Sequence, residues 1–331
     1  WLTCLYMRLH TPHPCYNANH RFMQVYRYVI RFRADRFVHG ITSGKVFVKD
    51  YLGAHMSISG GLHMAIDRAL AAGCGVVQIF TRNSNQWRGK PLSDSDVQLF
   101  REKLASSGLH EAVSHDIYLI NLAAAPGEIR DKSLAAFKEE METCARLGIN
   151  KIVMHPGSHL NDSPEAGLER VITAFDHLFD SAPQYEGKVL LETTAGQGTN
   201  LGRTFEELQA IISGSKKSNR FAVCFDTCHT FAAGYDTTTH EGYNDTMAQF
   251  DRIIGLQKLH CFHFNDSKKG LGSRVDRHDH IGQGTLGLNP FKFILGDKRF
   301  DRVPKILETP KGDHDEMDAV NLAILRSLIV D

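Results

Sequence analysis

From Tyr51 onward the chain alternates two kinds of segment. A short apolar run, rich in β-branched residues, stops at a polar residue, and a longer amphipathic stretch separates it from the next. The runs are 52–55, 76–80, 112–115, 151–155, 188–192, 222–226, 259–263 and 303–308. Near-continuous apolar runs of that length read as strands covered on both faces, which is how parallel sheets are built. The stretches at 65–72, 93–106, 130–147, 164–180, 203–212 and 244–254 carry helical periodicity. Gly73, Gly108 and Gly148 stand where helix C-caps belong.

Eight strands with helical sequence between them predict an α/β chain closed into a single (β/α)8 TIM-type barrel. The alternative is an open doubly wound sheet. The run endings favour the barrel. Seven of the eight close on His, Glu or Asp, namely His55, His115, His155, Glu192, Asp226, His263 and Glu308. In a barrel every C-terminal strand end meets one rim. In an open sheet the ends lie along a line and cannot converge.

The chain has 331 residues, 42% of them hydrophobic, which is enough for a sizeable core. One barrel of roughly 250 residues accounts for a single domain, here 51–331. Residues 1–50 differ from the rest. Their first acidic residue is Asp35, and Arg8, Arg21, Arg27, Arg31 and Arg33 precede it. We read them as an extension outside the folded domain. The competing readings are an Arg-rich organellar targeting segment and a small extra element around the alternating stretch 26–32. No apolar run approaches the roughly 18 residues of a transmembrane helix, so no membrane partner is expected.

Formal net charge is zero. That does not exclude a nucleic-acid partner, because bound divalent cations would add positive charge that a residue count omits. The seven cysteines show no paired framework spacing, which predicts a reducing compartment without structural disulfides. Cys224 and Cys228 do not form a C-x-x-C pair, and Cys261 reads as a small buried filler on the strand face of His263.

Gathering these residues at one mouth is costly unless they pair or bind a cation. Clustered carboxylates would raise one another's pKa values, and divalent metals resolve the conflict. His and carboxylate donors without a thiolate cluster suit zinc, manganese or iron. Two further groups lie in loops beyond the strand ends. His229 follows Asp226 by three residues, and Asp276 and His278 flank a single arginine. Together they suggest another ion at the rim. One strand-end histidine alone would more often be structural, and one strand-end aspartate could simply cap a helix. Six such endings in succession are hard to explain that way.

Several segments carry a resemblance. His115-Asp-Ile-Tyr-Leu-Ile-Asn-Leu122, His155-Pro-Gly-Ser-His159, Glu192-Thr-Thr-Ala-Gly-Gln-Gly198, the stretch Asp226 to Asp236, His263-Phe-Asn-Asp-Ser267 and Gly272 to His278 resemble the endonuclease IV family of apurinic/apyrimidinic endonucleases. The likeness runs from Tyr51 to the C-terminus. It implies three zinc ions per chain, with manganese as a substitute. The first would be held by His115, His155 and Glu192. The second would share Glu192 as a bridge, with Asp226, His263 and Glu308. The third would take His229, Asp276 and His278. Thr193 stands where relatives often have Asn. The implied chemistry is hydrolysis of the phosphodiester 5′ to an abasic site by a metal-activated hydroxide, with Glu192 orienting it. The products would be a 3′-hydroxyl and a 5′-deoxyribose phosphate.

The implied partner is double-stranded DNA containing abasic sites, and the enzyme is expected to be a cytoplasmic monomer of bacterial type, working with the nucleoid. Asn85, Gln86 and Trp87, with Tyr118 and Leu119, match the family's DNA-penetrating loops. Ordinary packing is the competing reading of Trp87 and Tyr118, and relatives can carry Arg at the position of Asn85. Lys268, Lys269, Arg274 and Arg277 are candidate phosphate contacts. Gly282-Gln-Gly-Thr-Leu-Gly287 fits G-x-G-x-x-G, but no strand precedes it, so a dinucleotide site is not expected. Two other functions compete: a metal-dependent sugar isomerase or epimerase on the same barrel, and a non-catalytic module that binds damaged DNA.

Overall fold

A computed structural model of the chain describes residues 50–313 and 316–329. The reading of residues 1–50 as an extension therefore lies outside the described residues, save for Asp50, which is ion-paired with Arg326 at 2.7 Å.

The strands are β1 (Leu52–His55), β2 (Val76–Phe80), β3 (Ala112–His115), β4 (Lys151–Met154), β5 (Lys188–Glu192), β6 (Phe221–Asp226), β7 (Leu259–His263) and β8 (Lys305–Leu307). All pair in parallel, in chain order, and β8 pairs with both β7 and β1. The sheet is thus closed, as the sequence predicts. The helices are α1 (Leu62–Ala72), α2 (Asp94–Ser107), α3 (Glu128–Leu147), α4 (Pro164–Ser181), α5 (Phe205–Gly214), α6 (Thr227–Ala233), α7 (His240–Ile253), α8 (Asn289–Gly296) and α9 (Met317–Leu328).

Local chemistry sets the boundaries. Ser93, Ser163, Thr204 and Thr239 each accept a backbone N–H from the first turn of α2, α4, α5 and α7. Gly73, Gly108 and Gly148 end α1, α2 and α3 in the left-handed region, as their positions predict. The expected runs through 155 and 308 stop one residue sooner, so His155 and Glu308 sit just past β4 and β8.

Two apolar layers hold the barrel. Inside it, Val76, Val113, Val153, Leu190, Ala222, Cys224, Cys261 and Ile306 pack together and fill the lumen. Cys261 is fully buried there, as the filler reading expects. Between barrel and helices lies a larger layer that includes Phe137, Phe175, Phe221, Phe225 and Phe262. Each fully buried Val, Leu, Ile or Phe contributes roughly 1.5–3 kcal/mol, so the scaffold stands on packing and leaves the mouth free for polar groups. No described helix is long and apolar enough to cross a membrane.

A candidate metal centre at the barrel mouth

The polar strand ends do converge. Three groups have ligand atoms within 4.8 Å of one another: His115, His155 and Glu192; Glu192, Asp226, His263 and Glu308; and His229, Asp276 and His278. These are the three sets that the resemblance implies. Glu192 is fully buried at the end of β5 and belongs to the first two. Its Oε2 lies 3.1 Å from His115 Nε2 and 3.2 Å from His155 Nε2. Its Oε1 lies 3.0 Å from His263 Nδ1 and 3.2 Å from His229 Nδ1. Across the third group, His229 Nε2 is 3.2 Å from Asp276 Oδ2, and His278 Nε2 is 3.4 Å from Asp276 Oδ1.

Asp226 does two jobs that the sequence reading treats as alternatives. It ends β6 and caps α6, its Oδ1 accepting the His229 N–H at 2.7 Å. Its Oδ2 faces the cluster, 3.9 Å from His263 Nδ1 and 3.7 Å from His278 Nε2. The cap fixes where His229 begins its turn. His278 comes from a two-residue antiparallel ribbon, Asp266–Ser267 with His278–Asp279. Arg274 N–H donates to Ala232 O and Gly272 N–H to Phe231 O, which ties the intervening loop to α6.

The donor set fits metal ions. Of the histidines in these groups, four turn their outer ring nitrogen to an oxygen that can only accept. His115 Nδ1 faces Asp116 O at 2.7 Å, His229 Nδ1 faces Thr193 O at 2.9 Å, and His278 Nδ1 faces Glu308 O at 3.2 Å. His263 Nε2 faces Gln78 Oε1 at 2.9 Å. In each neutral ring the proton belongs on that outer nitrogen, and the other nitrogen offers its lone pair. Metal-ligating histidines are held in this way. Two further groups bring in a thiol: Cys224 and Cys261 with His263, and Cys228 with Asp226 and His278. Burial pushes the Cys228 thiol up to about 12 and the Cys224 thiol well above its usual range, so without a cation both rest as thiols.

Without cations the mouth balances itself by proton uptake. Burial would raise the Glu192 carboxyl, but His263, His155 and His115 hold it well below the ordinary range. Burial likewise opposes charging of His263 and His229, yet the facing carboxylates raise both well above the usual imidazole value. Asp276, partly exposed, is held at about 2: burial pushes it up, and His229 more than reverses that. Such mutual dependence is what divalent cations relieve.

Two amides escape the strand-end pattern. Gln78 points into the mouth from inside β2, and Asn265 follows β7. Asn265 donates to Asp226 Oδ2 at 2.7 Å and accepts the Glu308 N–H at 2.9 Å, bracing two members of one group. His55, whose run also ends in a polar residue, lies beside this group. Its Nδ1 is 3.5 Å from Glu308 Oε1.

The other candidate residues separate by exposure. Tyr118 is 67% exposed, and its ring meets Phe80 edge-on at 5.4 Å. Asn85 and Gln86 are exposed, whereas Trp87 and Leu119 are half-buried and pack against the core. Lys268, Lys269, Arg274 and Arg277 are exposed beside the third group. The glycine-rich loop does cradle an anion, but an internal one. Gly282 N–H donates to Asp266 Oδ2 at 2.9 Å, and Leu286 N–H to Oδ1 at 3.0 Å.

An eight-stranded parallel barrel with three adjoining His/carboxylate groups at its C-terminal mouth defines a metal-dependent barrel enzyme. Residues 66–328 match the family model described as a xylose isomerase-like TIM barrel. A probable endonuclease 4 of Trichlorobacter lovleyi is 76% identical over 281 residues, covering 85% of this chain and 100% of the relative. The chain belongs to the endonuclease IV family and is an endonuclease. The crystal structure of endonuclease IV from Thermus thermophilus superposes with a TM-score of 0.74 at 38% identity, over 84% of this chain and 98% of that one. A D-tagatose 3-epimerase-like protein shares the fold alone, with a TM-score of 0.60 at 19% identity over 84% of this chain and 99% of its own.

Proposed function

We propose that this endonuclease acts in DNA repair on duplexes with abasic sites, hydrolysing the phosphodiester 5′ to the lesion. The products are a 3′-hydroxyl and a 5′-deoxyribose phosphate. The observation that carries the reading is the contiguity of three metal-binding groups, two of them joined through Glu192. Nine residues would hold three zinc ions: His115, His155, Glu192, Asp226, His229, His263, Asp276, His278 and Glu308. Manganese is the natural substitute for such donors. Bound zinc would supply Lewis acidity to the phosphate and lower the pKa of a bound water toward about 7.

The chain's own residues provide the rest. Four carboxylates against three dications would leave the mouth net positive, which would draw a phosphodiester inward. Glu192 belongs to both of the first two groups and would serve the ion held by each. Tyr118, exposed at the rim, is placed to occupy the space left by the missing base, since extrusion of a nucleotide costs least where stacking is already lost. Asn85 and Gln86 are exposed enough to enter the duplex beside it. Trp87 and Leu119 support those loops from beneath. Lys268, Arg274 and Arg277 are placed to contact phosphates. We take the enzyme to work as a monomer in the cytoplasm, with the nucleoid.

The test is incubation of the purified protein with a duplex carrying one abasic analogue, with and without chelator. Scission on the 5′ side that fades when metal is withdrawn supports the reading. Intact duplex despite about three metal ions per chain would instead indicate a binding module. Intact duplex with turnover of a ketose would indicate an epimerase.

A further inference from the structure

Gln78 is the polar side chain that the run endings do not flag, because its run closes on Phe80. It is fully buried in β2, two residues before the strand end. Its amide has two hydrogens to give and one oxygen to receive. Glu308 Oε1 lies 2.6 Å from Gln78 Nε2, and His55 Nδ1 lies 3.0 Å from the same nitrogen. His263 Nε2 lies 2.9 Å from Gln78 Oε1.

These contacts orient one another. A carboxylate only accepts, so the NH2 of Gln78 must face Glu308. The amide oxygen then faces His263, and that ring must carry its proton on Nε2. In the neutral ring His263 Nδ1 is then left with its lone pair toward the carboxylates, 3.0 Å from Glu192 Oε1 and 3.2 Å from Glu308 Oε2. One buried amide therefore sets the direction of two members of the same four-residue group. We propose that Gln78 is a positioning residue, which selects the His263 tautomer and anchors Glu308 so that the group made by Glu192, Asp226, His263 and Glu308 is ready to receive a metal ion. The inference rests on the metal-centre reading above.

Three features separate this role from simple core filling. Both amide hydrogens and the amide oxygen are engaged. Both principal partners belong to one metal group, on β7 and just past β8. An apolar side chain of the same size would fill the same space but offer neither an acceptor to His263 nor a donor to Glu308.

Two variants of the full-length protein separate the parts. Gln78→Met keeps volume and removes all three hydrogen bonds, to Glu308, His55 and His263. Gln78→Glu keeps the acceptor for His263 and removes the donor to Glu308. The first readout is metal retained per chain during dialysis against graded chelator, measured by elemental analysis. The second is the His263 tautomer in chelator-treated, 15N-histidine-labelled protein, read at a pH alkaline enough for the ring to be neutral. Loss of an outer partner typically weakens metal binding about 10–100-fold. Gln78→Met is expected to lose one equivalent at about tenfold lower chelator than the parent, with the remaining equivalents held. Its His263 should shift from the Nε2–H form toward a mixture. Gln78→Glu should keep the Nε2–H form and still lose the equivalent early, because a second carboxylate then faces Glu308. Retention within twofold of the parent in both variants, or an unchanged tautomer in Gln78→Met, overturns the proposal. Should Gln78→Met fail to fold, Gln78→Glu still decides through metal retention. Neither readout depends on the substrate, so failure here is distinct from failure of the abasic-site reading.

Discussion

Replacing Glu192 with glutamine is the sharpest test of the centre. The amide matches the carboxylate in size, so no cavity opens in the fully buried site. What disappears is a negative charge facing four imidazoles at 3.0–3.2 Å, and a donor from two of the three groups. Loss of one preorganised electrostatic group in a dry site typically costs about 10²–10³ in kcat. Here two neighbouring cation sites weaken at once, so the fall should reach at least about 10³, or roughly 4 kcal/mol at about 1.4 kcal/mol per tenfold. The assay is single-turnover cleavage of an abasic duplex, with elemental analysis and thermal unfolding on the same preparation. A barrel that still melts cooperatively but cleaves about a thousandfold more slowly meets the expectation. Cleavage within tenfold of the parent, with the metal complement unchanged, would refute the idea that Glu192 joins two sites.

Tyr118→Ala should weaken binding to abasic duplex by roughly 1–3 kcal/mol, the range for loss of one aromatic stacking contact, while leaving metal content unchanged. Equal affinity in a gel-shift titration would remove Tyr118 from the interface. Metal-stripped protein should show a domed stability profile. Its raised histidines, His229 and His263, stabilise the fold below about 6.5, and that contribution fades as pH climbs through their elevated values. Its depressed carboxyls, Glu192 and Glu308, stabilise above about 4.5, and that contribution fades as pH drops toward their lowered values. Thermal melts from pH 4 to 9 that showed no alkaline decline would contradict the charge pairing. Gly284→Ala would drive a methyl into Ser267 O and to 2.5 Å from Asp266 Oδ1. Overpacking of that kind costs about 1–3 kcal/mol, and an unchanged midpoint would show that the loop yields.

The barrel was legible because strands buried on both faces leave near-continuous apolar runs, and because six consecutive runs ended in a ligand type. The same regularity hid other features. Gln78 lies within its run, so a rule about endings passes over it. The available signal was a polar residue at inward parity, since Val76 of the same strand faces the lumen. Asn265 follows a ligand by two residues and reads as loop chemistry until Asp226 and Glu308 are seen on either side. The helix at Thr227–Ala233 has little amphipathic contrast, because Thr227 to Ala232 are all buried. Asp226 shows why capping and a place in the cluster need not compete, since Oδ1 caps α6 while Oδ2 faces His263. The glycine-rich loop carries a familiar spacing for a different reason: its backbone amides close on Asp266 and brace the ribbon that presents His278.

The order of the ligands along the chain has a consequence for biosynthesis. Glu308 follows β8, the last strand of the barrel along the chain, and β8 is the element that joins β7 to β1. A growing polypeptide can display His115, His155 and Glu192 early, yet it cannot complete the four-residue group until the barrel shuts. An unfinished chain on the ribosome therefore lacks the complete four-residue group. The capacity to cut a nucleic-acid backbone arrives only with the closed scaffold that confines it.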